Sequence, residues 1–369
     1  MSKRKSRVPL RKNREQAQRF RNLKPLDEAR LDDLAADQRI SGKGGLSRHR
    51  TILVTEDDPN LRAIDTTGLQ PGRVLSPRGA GCLVDLGQGR ELECSVRQVL
   101  KDMAVEGRTV VAAGDRVLVR PGEDRQGVIE RVEPRGGVLA RKIRNRKHVL
   151  VANVDQVLIV ASVAQPKLKP SLIDRYLIGA HAGGLRPIIC LNKIDLVELA
   201  DLQPVLGVYA QLGYEILPVS TRSGQGHERL HELLRDRATA LAGQSGVGKS
   251  SLINAVEPGL HLRTHEVTTE TGKGQHTTTS ARLWPLTRGG WVVDTPGIRQ
   301  LELWDVPASE VGAHFPEFHP FLRYCRFASC SHLHEAECGV KQAVTRGQIA
   351  RQRFASYCRI RLGDGDDPW

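Results

Sequence analysis

The stretch Gly243-Gln-Ser-Gly-Val-Gly-Lys-Ser-Ser251 follows the pattern G-x-x-x-x-G-K-S of a phosphate-binding P-loop. A mostly apolar run, Ala238–Ala242, precedes it and Ser250–Val256 can begin a helix, so the motif has a strand–loop–helix context. Backbone N–H groups in such a loop point at one anion, and the helix N-terminus adds a positive end. We expect Lys249 to neutralise the β- and γ-phosphates of a nucleotide, and the Ser250 hydroxyl to bind Mg²⁺. The predicted contacts in the loop are Gly243, Gln244, Ser245, Gly246, Val247, Gly248, Lys249, Ser250 and Ser251.

Apolar runs typical of buried strands alternate with helical patterns from about residue 148 onward. The predicted strands are Val157–Ala161, Pro187–Leu191, Glu215–Val219, Ala238–Ala242 and Trp291–Asp294. The predicted helices are Ser171–Ala182, Leu196–Leu212 with an interruption near Pro204, and Gly226–Arg237. This alternation predicts βαβ units and a mainly parallel sheet, which is an α/β fold.

The motif Asn192-Lys-Ile-Asp195 comes directly after a predicted strand, at the sheet edge where α/β folds bind ligands. The Asp195 carboxylate can accept hydrogen bonds from N1–H and the 2-amino group of guanine. Adenine has no amine there and would leave the carboxylate unpaired, so the motif favours a guanine nucleotide. Asn192 can bond the N7/O6 edge of the base, and the stem of Lys193 can cover the ring. We expect a backbone N–H near Ser220 to meet O6.

Two further segments have the character of nucleotide-dependent switches. Asp294-Thr-Pro-Gly297 is a D-x-x-G motif, in which Asp294 can hold Mg²⁺ through water and the Gly297 N–H can meet the γ-phosphate. The stretch Thr264–Ser280 is rich in Thr, Gly and His, and Thr278 or Thr279 can close on Mg²⁺ and the γ-phosphate. Both segments would change conformation on hydrolysis.

The order of these motifs is unusual. In most GTPases N-K-x-D follows the P-loop and D-x-x-G, whereas here it precedes the P-loop by about fifty residues. Every part is present but the cyclic order is cut, a permutation that a compact domain with neighbouring termini tolerates. As a consequence, D-x-x-G leads directly into the C-terminal segment.

The regions before residue 148 have a different composition. Residues 1–24 contain ten Lys or Arg and one acid, which is +9 of the formal charge of +13, and cannot bury enough surface to fold alone. This arm is either a solvated extension or a contact for RNA phosphates. Between residues 72 and 135, five short β-type runs and no Phe, Tyr or Trp predict a small OB-type barrel that would bind RNA through charge and shape. Its basic residues are Arg78, Arg90, Arg97, Lys101, Arg108, Arg116 and Arg120.

A C-terminal cluster has the spacing Cys325-x4-Cys330-x-His332-x5-Cys338. Three thiols and one imidazole suit a closed tetrahedral Zn²⁺ site, although the spacing leaves His334 as an alternative fourth ligand. No run of about 18 apolar residues predicts a membrane span, and no apolar h-region predicts a secretory signal, so we expect a cytoplasmic protein. Cysteines in that compartment are more often thiols or metal ligands than disulfides.

The order N-K-I-D, P-loop, H-T-T-T, D-T-P-G, with a barrel before and a Cys/His cluster after, resembles the circularly permuted small ribosomal subunit biogenesis GTPases of bacteria, the RsgA (YjeQ) family. The resemblance extends from about residue 70 to about residue 345. It implies a monomeric GTP hydrolase that binds the small (30S) ribosomal subunit and its 16S rRNA late in assembly. The subunit would stimulate hydrolysis of GTP to GDP, and hydrolysis would drive release. It also implies Mg²⁺ with GTP and one structural zinc held by Cys325, Cys330, His332 and Cys338.

The residue that activates water is implied only by the resemblance. Ile298 follows D-x-x-G, where many small GTPases have a water-orienting Gln, and an aliphatic side chain cannot orient water. The family uses a histidine of the switch loop, which corresponds to His276 in this chain. If catalysis is weak, the alternative function is a nucleotide-gated RNA-binding or translation-regulating module with little turnover.

These observations predict a multidomain chain with four segments. They are a basic, disordered extension (1–66), an OB-fold barrel with a basic linker (67–147), a circularly permuted GTPase domain (148–304) and an α-helical zinc-binding domain (305–369).

Overall fold

The computed structural model describes residues 3–9, 49–55, 61–79, 81–103, 110–143, 146–260, 262, 281–294 and 306–363. The chain divides into two compact units. The first unit comprises Met1–Arg135 and Arg144–His148, and the second comprises Gly136–Ile143 and Val149–Trp369. Within the described residues, no helix is both long and apolar enough to cross a bilayer.

The first unit is built on a closed five-stranded barrel, which confirms the predicted architecture. Its strands are β3 (Gln70–Arg78), β4 (Gly81–Asp85), β5 (Glu91–Val96), β6 (Arg116–Pro121) and β7 (Gln126–Val132), in the order β3-β4-β5-β7-β6. Helix α1 (Gln98–Met103) follows β5. β-Branched side chains such as Val74, Val84, Val119 and Ile129 alternate with polar ones and fill the barrel interior.

Several arginines of the barrel are committed to acids of the same unit. The buried Glu130 carboxylate lies 2.6 Å from Arg97 and 3.2 Å from Arg120. Asp115, also buried, receives both Nε and Nη2 of Arg135 at 2.7 Å. A buried carboxylate requires such partners because desolvation of an unpaired charge is costly. Part of the basic character read from the sequence therefore stabilises the barrel.

The predicted N-terminal extension contains two strands that composition did not indicate. β1 (Lys3–Pro9) pairs with β2 (His49–Thr55) in an antiparallel ladder of seven residue pairs. A ladder satisfies backbone N–H and C=O groups whether or not side chains are apolar, and four of the five residues in the run Thr-Ile-Leu-Val-Thr of β2 are β-branched. The predicted disorder therefore does not describe these two segments, while residues 10–48 lie outside the described part of the chain.

The second unit contains the predicted α/β sheet. Its strands are β10 (Gln156–Ser162), β11 (Arg186–Asn192), β12 (Glu215–Pro218), β13 (Ala238–Ala242), β14 (Arg282–Pro285) and β15 (Trp291–Asp294). The order is β12-β11-β10-β13-β15-β14, with every pair parallel except β14–β15. The mainly parallel sheet is confirmed, and the antiparallel edge strand β14 was not predicted. Two short strands, β8 (Leu139–Ile143) and β9 (Arg146–Val151), precede the sheet.

The helices of the second unit depart from the predictions mainly at their ends. They are α2 (Pro170–Ala182), α3 (Leu199–Gln211), α4 (His227–Leu234), α5 (Lys249–Val256), α6 (Gly339–Thr345) and α7 (Arg351–Leu362). Helix α3 begins three residues after the predicted start and continues through Pro204, which costs one backbone hydrogen bond. Short 3-10 helices occupy Ile194–Leu196, Val311–His314 and Pro316–Tyr324.

The C-terminal residues share a hydrophobic core with the sheet domain. Phe315 and Phe318 stack, Tyr357 meets both of them edge to face, and the three rings form one cluster with Ile178 of α2. Beside this cluster, the guanidinium of Arg353 is buried and binds both Asp174 of α2 and Glu317. Burial alone would lower the pKa of Arg353, but the two carboxylates raise it above its ordinary value, so the arginine stays charged.

Removal of this buried cation tests how firmly the C-terminal residues are held on α2. We expect Arg353→Ala to lower the free energy of unfolding by about 3 kcal/mol, because the Asp174 carboxylate would remain buried without its counterion. The matched control is Arg351→Ala, which changes an exposed arginine of the same helix. Urea unfolding followed by circular dichroism measures both; equal midpoints would contradict the argument. The double variant Asp174→Asn, Arg353→Met should recover part of the loss.

Candidate nucleotide and metal sites

The predicted P-loop connects β13 to α5 and makes two close approaches that require glycine. Gly243 has φ +139°, and a Cβ there would lie 2.2 Å from the Val160 carbonyl oxygen of β10. Gly248 has φ +93°, and a Cβ there would lie 2.5 Å from Nδ2 of Asn192. An L side chain at either position would meet both backbone strain and a steric clash. The loop is thus pressed against the ends of β10 and β11.

The side chains of the loop differ in exposure. The Lys249 ammonium donates to the carbonyl oxygens of Gly243 at 2.6 Å and Gln244 at 2.7 Å, so it is held at the start of the loop. Val247 is buried, Ser250 is half-buried, and Ser245, Gly246 and Ser251 are exposed. The apolar residue anchors the loop, while the polar residues predicted to contact the nucleotide are accessible.

Asn192 at the end of β11 joins three segments of this site. Its buried amide donates from Nδ2 to the Val247 carbonyl oxygen at 2.9 Å. Its Oδ1 accepts from the Lys193 N–H at 2.8 Å and from the Thr221 hydroxyl at 3.1 Å. An amide oxygen has two lone pairs, and both are engaged, so only the second N–H of Nδ2 can reach the base edge predicted for Asn192. The structure therefore adds a bracing role that the sequence did not suggest.

Lys193 extends between N-K-I-D and the P-loop. It has the left-handed φ of +66°, and its ammonium donates to the Gly246 carbonyl oxygen at 3.0 Å and to the carbonyl oxygen of Gln165. The side chain thus crosses from the strand end to the phosphate loop. This course agrees with a stem that covers a base lying beside the loop.

Ser220 supports Asp195 through its hydroxyl. Ser220 Oγ donates to Asp195 Oδ1 at 2.6 Å and accepts from the N–H groups of Arg222 and Ser223. Its own N–H donates to the Gln225 carbonyl oxygen at 3.0 Å, so the predicted N–H to guanine O6 has another partner. The signal for the hydroxyl's role was available, because a serine directly after a strand often accepts from the following N–H groups. Asp195 itself is exposed.

Some predicted site residues lie outside the described part of the chain. These are His276, Thr278, Thr279 and Gly297, together with Ile298 and the side chain of Asp294. The backbone of Asp294 is the last residue of β15, which pairs in parallel with β13. The D-x-x-G motif therefore begins at the same edge of the sheet as the P-loop.

The four residues of the predicted metal cluster come together in the C-terminal segment. The ligand atoms of Cys325, Cys330, His332 and Cys338 all lie within 4.8 Å of one another. Cys325 Sγ is 3.6 Å from Nδ1 of His332 and 3.9 Å from Sγ of Cys338, and Nδ1 is 3.3 Å from Sγ of Cys338. Bond lengths of about 2.3 Å to sulfur and 2.0 Å to nitrogen give tetrahedron edges of about 3.5–3.8 Å. The donor set and its size fit Zn²⁺.

His334, the alternative ligand, is not part of this cluster. Its side chain is 83% exposed and lies beside Glu335. His332 instead is buried, and its φ of +60° turns the backbone so that the ring faces the thiols. The structure thus places His332 among the thiols, which spacing alone could not decide.

Glu335 braces the turn that carries His332. Oε1 accepts from the Ser331 N–H at 2.6 Å and Oε2 accepts from the Leu333 N–H at 3.1 Å. Burial raises the pKa of Glu335, but the hydrogen bonds from Ser331 outweigh it and bring that pKa to about 2. The carboxylate is therefore ionised at neutral pH and fixes the residues on both sides of the imidazole.

Comparison with known proteins gives consistent matches. The profile of a family described as RsgA GTPase matches residues 132–304. A small ribosomal subunit biogenesis GTPase RsgA from Shewanella oneidensis is 36% identical over 349 residues, covering 91% of this chain and 94% of that protein. The protein of the same name from Chlorobaculum tepidum is 42% identical over 301 residues, covering 78% and 96%.

Two solved structures are similar over most of the chain. The crystal structure of YjeQ from Thermotoga maritima has a TM-score of 0.67 and 36% identity, covering 80% of this chain and 98% of that one. The structure of YloQ, described as a circularly permuted GTPase, has a TM-score of 0.61 and 28% identity, covering 84% and 100%. The permuted motif order read from the sequence agrees with the description of YloQ.

The brace on the His332 turn can be tested by metal affinity. We expect Glu335→Ala to weaken Zn²⁺ binding by about 10-fold or more, because side chains that hold a metal ligand in its orientation contribute on this scale. Glu337→Ala is the matched control, since Glu337 makes an exposed ion pair with Arg326. Competition with a chelating dye measures both affinities. An unchanged affinity in Glu335→Ala would show that the brace is dispensable.

Proposed function

This chain belongs to the RsgA GTPase family and is a ribosome biogenesis GTPase, and we propose that it binds the small (30S) ribosomal subunit late in assembly and leaves it on hydrolysis of GTP. The structural observation that most strongly supports the GTP-binding part of this proposal is the hydrogen bond from Asn192 to Val247. It ties the predicted guanine-binding motif to the predicted phosphate loop, so that both can hold one nucleotide.

We assign the base to the pocket edge formed by Asp195 and the loop after β12. The carboxylate is oriented by Ser220 and accessible from solvent, which suits acceptance of two N–H bonds from guanine. Because the Ser220 N–H bonds Gln225, we assign the contact with O6 to the N–H of Thr221. Lys193 would lie against the ring, since its ammonium already reaches Gly246 of the phosphate loop.

The phosphates would lie on the loop Gly243–Ser251. Lys249 would exchange its present bonds to two loop carbonyl oxygens for contacts with the β- and γ-phosphates. Ser250 would bind Mg²⁺, with Asp294 as its water-mediated partner, and Mg²⁺ would neutralise charge that develops on the phosphates. Thr278, Thr279 and Gly297 would complete the site around the γ-phosphate.

For hydrolysis we assign His276 to the attacking water. Ile298 occupies the position where other GTPases orient water with an amide, and it offers no polar atom. An imidazole can accept a hydrogen bond from water and thereby fix its direction of attack on the γ-phosphorus. We propose that contact with the subunit orders the loop that carries His276, so that turnover depends on the partner.

The metal ion would have a structural role and no catalytic role. Four protein ligands fill a tetrahedral coordination sphere and leave no position for substrate. Zinc at Cys325, Cys330, His332 and Cys338 would hold the segment between the 3-10 helix Pro316–Tyr324 and α6, which has little other regular structure. We propose one such ion per chain.

The remaining assignments follow from this function. The barrel (67–147) and the basic arm (1–66) would contact 16S rRNA through charge, residues 148–304 would bind GTP, and residues 305–369 would form the zinc-binding domain. We propose that the protein acts on ribosomal subunits as a monomer and in the cytoplasm.

Turnover titrated with purified small subunits tests the proposal. We expect small subunits to raise the rate of GTP hydrolysis at least about 10-fold, and large subunits to have little effect. His276→Ala should lose about 100-fold of the stimulated rate, within the range of general base catalysis, and retain GTP affinity. His334→Ala is the control, because His334 is an exposed histidine outside the nucleotide motifs. Subunit binding without stimulation would instead favour a nucleotide-gated binding module.

Base specificity provides an independent test. We expect Asp195→Asn to weaken GTP binding by about 10- to 100-fold, because an amide cannot accept both N–H bonds of guanine. Binding of xanthosine triphosphate should improve, since xanthine presents a carbonyl where guanine has an amine. Asp201→Asn, an exposed position in the first turn of α3, should leave both affinities unchanged. Calorimetric titration measures them, and an unaltered preference for GTP would refute the role of Asp195.

A further inference from the structure

Residues 316–338, which include the four clustered Cys and His residues and are called the metal-binding segment below, expose two aromatic side chains. Tyr324 is 57% exposed and Phe327 is 52% exposed, and they are the only exposed aromatic residues in the part of the chain that the structure describes. Leu322, on the same segment, is also exposed. Among the other rings of this region, Phe315, Phe318 and Tyr357 are completely buried, and Phe321 and Phe354 are partly buried. Aromatic rings at a surface cost hydration energy, so two of them on one short segment indicate a contact surface.

Each exposed ring has an arginine beside it. The guanidinium carbon of Arg323 lies 4.8 Å from the centre of the Tyr324 ring, and Nη2 donates to the tyrosine hydroxyl at 2.7 Å. The guanidinium carbon of Arg326 lies 5.5 Å from the centre of the Phe327 ring. Arg326 also pairs with Glu337, but both side chains are exposed and such pairs are weak. The result is an alternation of aromatic and cationic groups.

The backbone under these side chains is fixed from several directions. Cys325, one of the four clustered residues, lies between the two rings in sequence, and its N–H donates to the Leu322 carbonyl oxygen at 3.1 Å. Arg326 N–H donates to the Glu337 carbonyl oxygen at 3.0 Å. A Cβ on Gly339 would lie 2.7 Å from Cβ of Tyr324, so the segment packs directly on the start of α6. A rigid support lowers the entropy cost of binding.

We propose that Tyr324 and Phe327, flanked by Arg323 and Arg326, form a platform on which unpaired RNA bases stack. Single-stranded nucleic acid is recognised by aromatic faces for the bases and by cations for the phosphates, and this segment offers both. Duplex RNA keeps its bases stacked internally and cannot use the rings. The choice of RNA rests on the proposed function in ribosome assembly and on the cationic side chains of Arg323 and Arg326 beside the two rings.

The platform supplies what the barrel lacks. No Phe, Tyr or Trp occurs between residues 72 and 135, so the barrel can contact RNA only through charge and shape. RNA bases would then stack on the metal-binding segment, which lies toward the other end of the sequence. This division assigns double-stranded or compact RNA to the barrel and an exposed single strand to the C-terminal platform.

Binding of short RNA to the full-length zinc-loaded protein tests the platform. The probe is a fluorescent RNA of about twelve nucleotides without self-complementarity, alone and annealed to its complement. We expect the single strand to bind more tightly than the duplex. Tyr324→Ala and Phe327→Ala should each weaken single-strand binding about 5-fold or more, whereas Tyr324→Phe and Phe327→Tyr should retain it. Leu362→Ala, an exposed apolar residue of α7, should have no effect.

Salt dependence separates stacking from charge. The alanine variants of the two rings should keep the slope of log affinity against log salt, because no phosphate contact is lost. Arg323→Gln and Arg326→Gln should reduce that slope. Zinc content measured on every variant establishes that the segment is intact.

Two results would overturn the platform. One is equal loss of single-strand and duplex binding in the ring variants, which would mean a backbone contact. The other is unaltered RNA binding with weakened subunit association, which would mean a ribosomal protein as partner. Subunit-stimulated GTP turnover of the wild-type chain, measured alongside, distinguishes failure of this inference from failure of the proposed function.

Discussion

The proposed nucleotide site depends on the buried amide of Asn192. This one side chain donates to the P-loop at Val247 and accepts from Lys193 and Thr221, so three loops from three strand ends share a single reference point. The same amide leaves no room for a Cβ at Gly248, where helix α5 begins. A buried amide stripped of any of these partners would pay the full cost of desolvation. The hydrogen bonds of this buried amide therefore maintain the arrangement as much as the packing does.

Such an arrangement explains why the motif order can be permuted without loss of the site. Strands β10, β11, β13 and β15 run parallel, so their C-terminal ends meet at one edge of the sheet in any chain order. The site needs loops that leave those ends, and it is indifferent to which loop comes first. The position at which the cyclic order is interrupted instead determines which neighbouring segment of the chain each loop leads into. Here Asp294, at the end of β15, leads toward the C-terminal segment through residues 295–305.

The sequence was sufficient for the features that arise from periodicity and motif spacing. Five barrel strands, the parallel sheet and the four clustered Cys and His residues all follow from local patterns, and the structure contains them. It was insufficient where a side chain finds a partner far along the chain. Asn192 and Val247 are 55 residues apart, and Arg353 and Asp174 are 179 apart, so no local pattern indicates either bond. The strands β1 and β2 were missed for a related reason, because a ladder between distant segments leaves no trace in composition.

Helix α2 and the loop before it contact both the proposed nucleotide site and the C-terminal segment. The loop before it carries Gln165, whose carbonyl oxygen accepts from Lys193 of N-K-I-D. From its second turn onward, α2 places Asp174 against Arg353 and Ile178 in the aromatic cluster of the C-terminal segment. Tyr209 of α3 also contacts this junction, because its hydroxyl lies 2.8 Å from Oδ1 of Asp174 and 3.1 Å from the Pro170 carbonyl oxygen at the helix start. A displacement of α2 would thus act on both sites, since a buried ion pair tolerates little change in geometry. The C-terminal segment is in this sense attached to the GTP-binding fold by the chain that leaves Asp294, by the buried charge of Arg353 and by the cluster that includes Ile178.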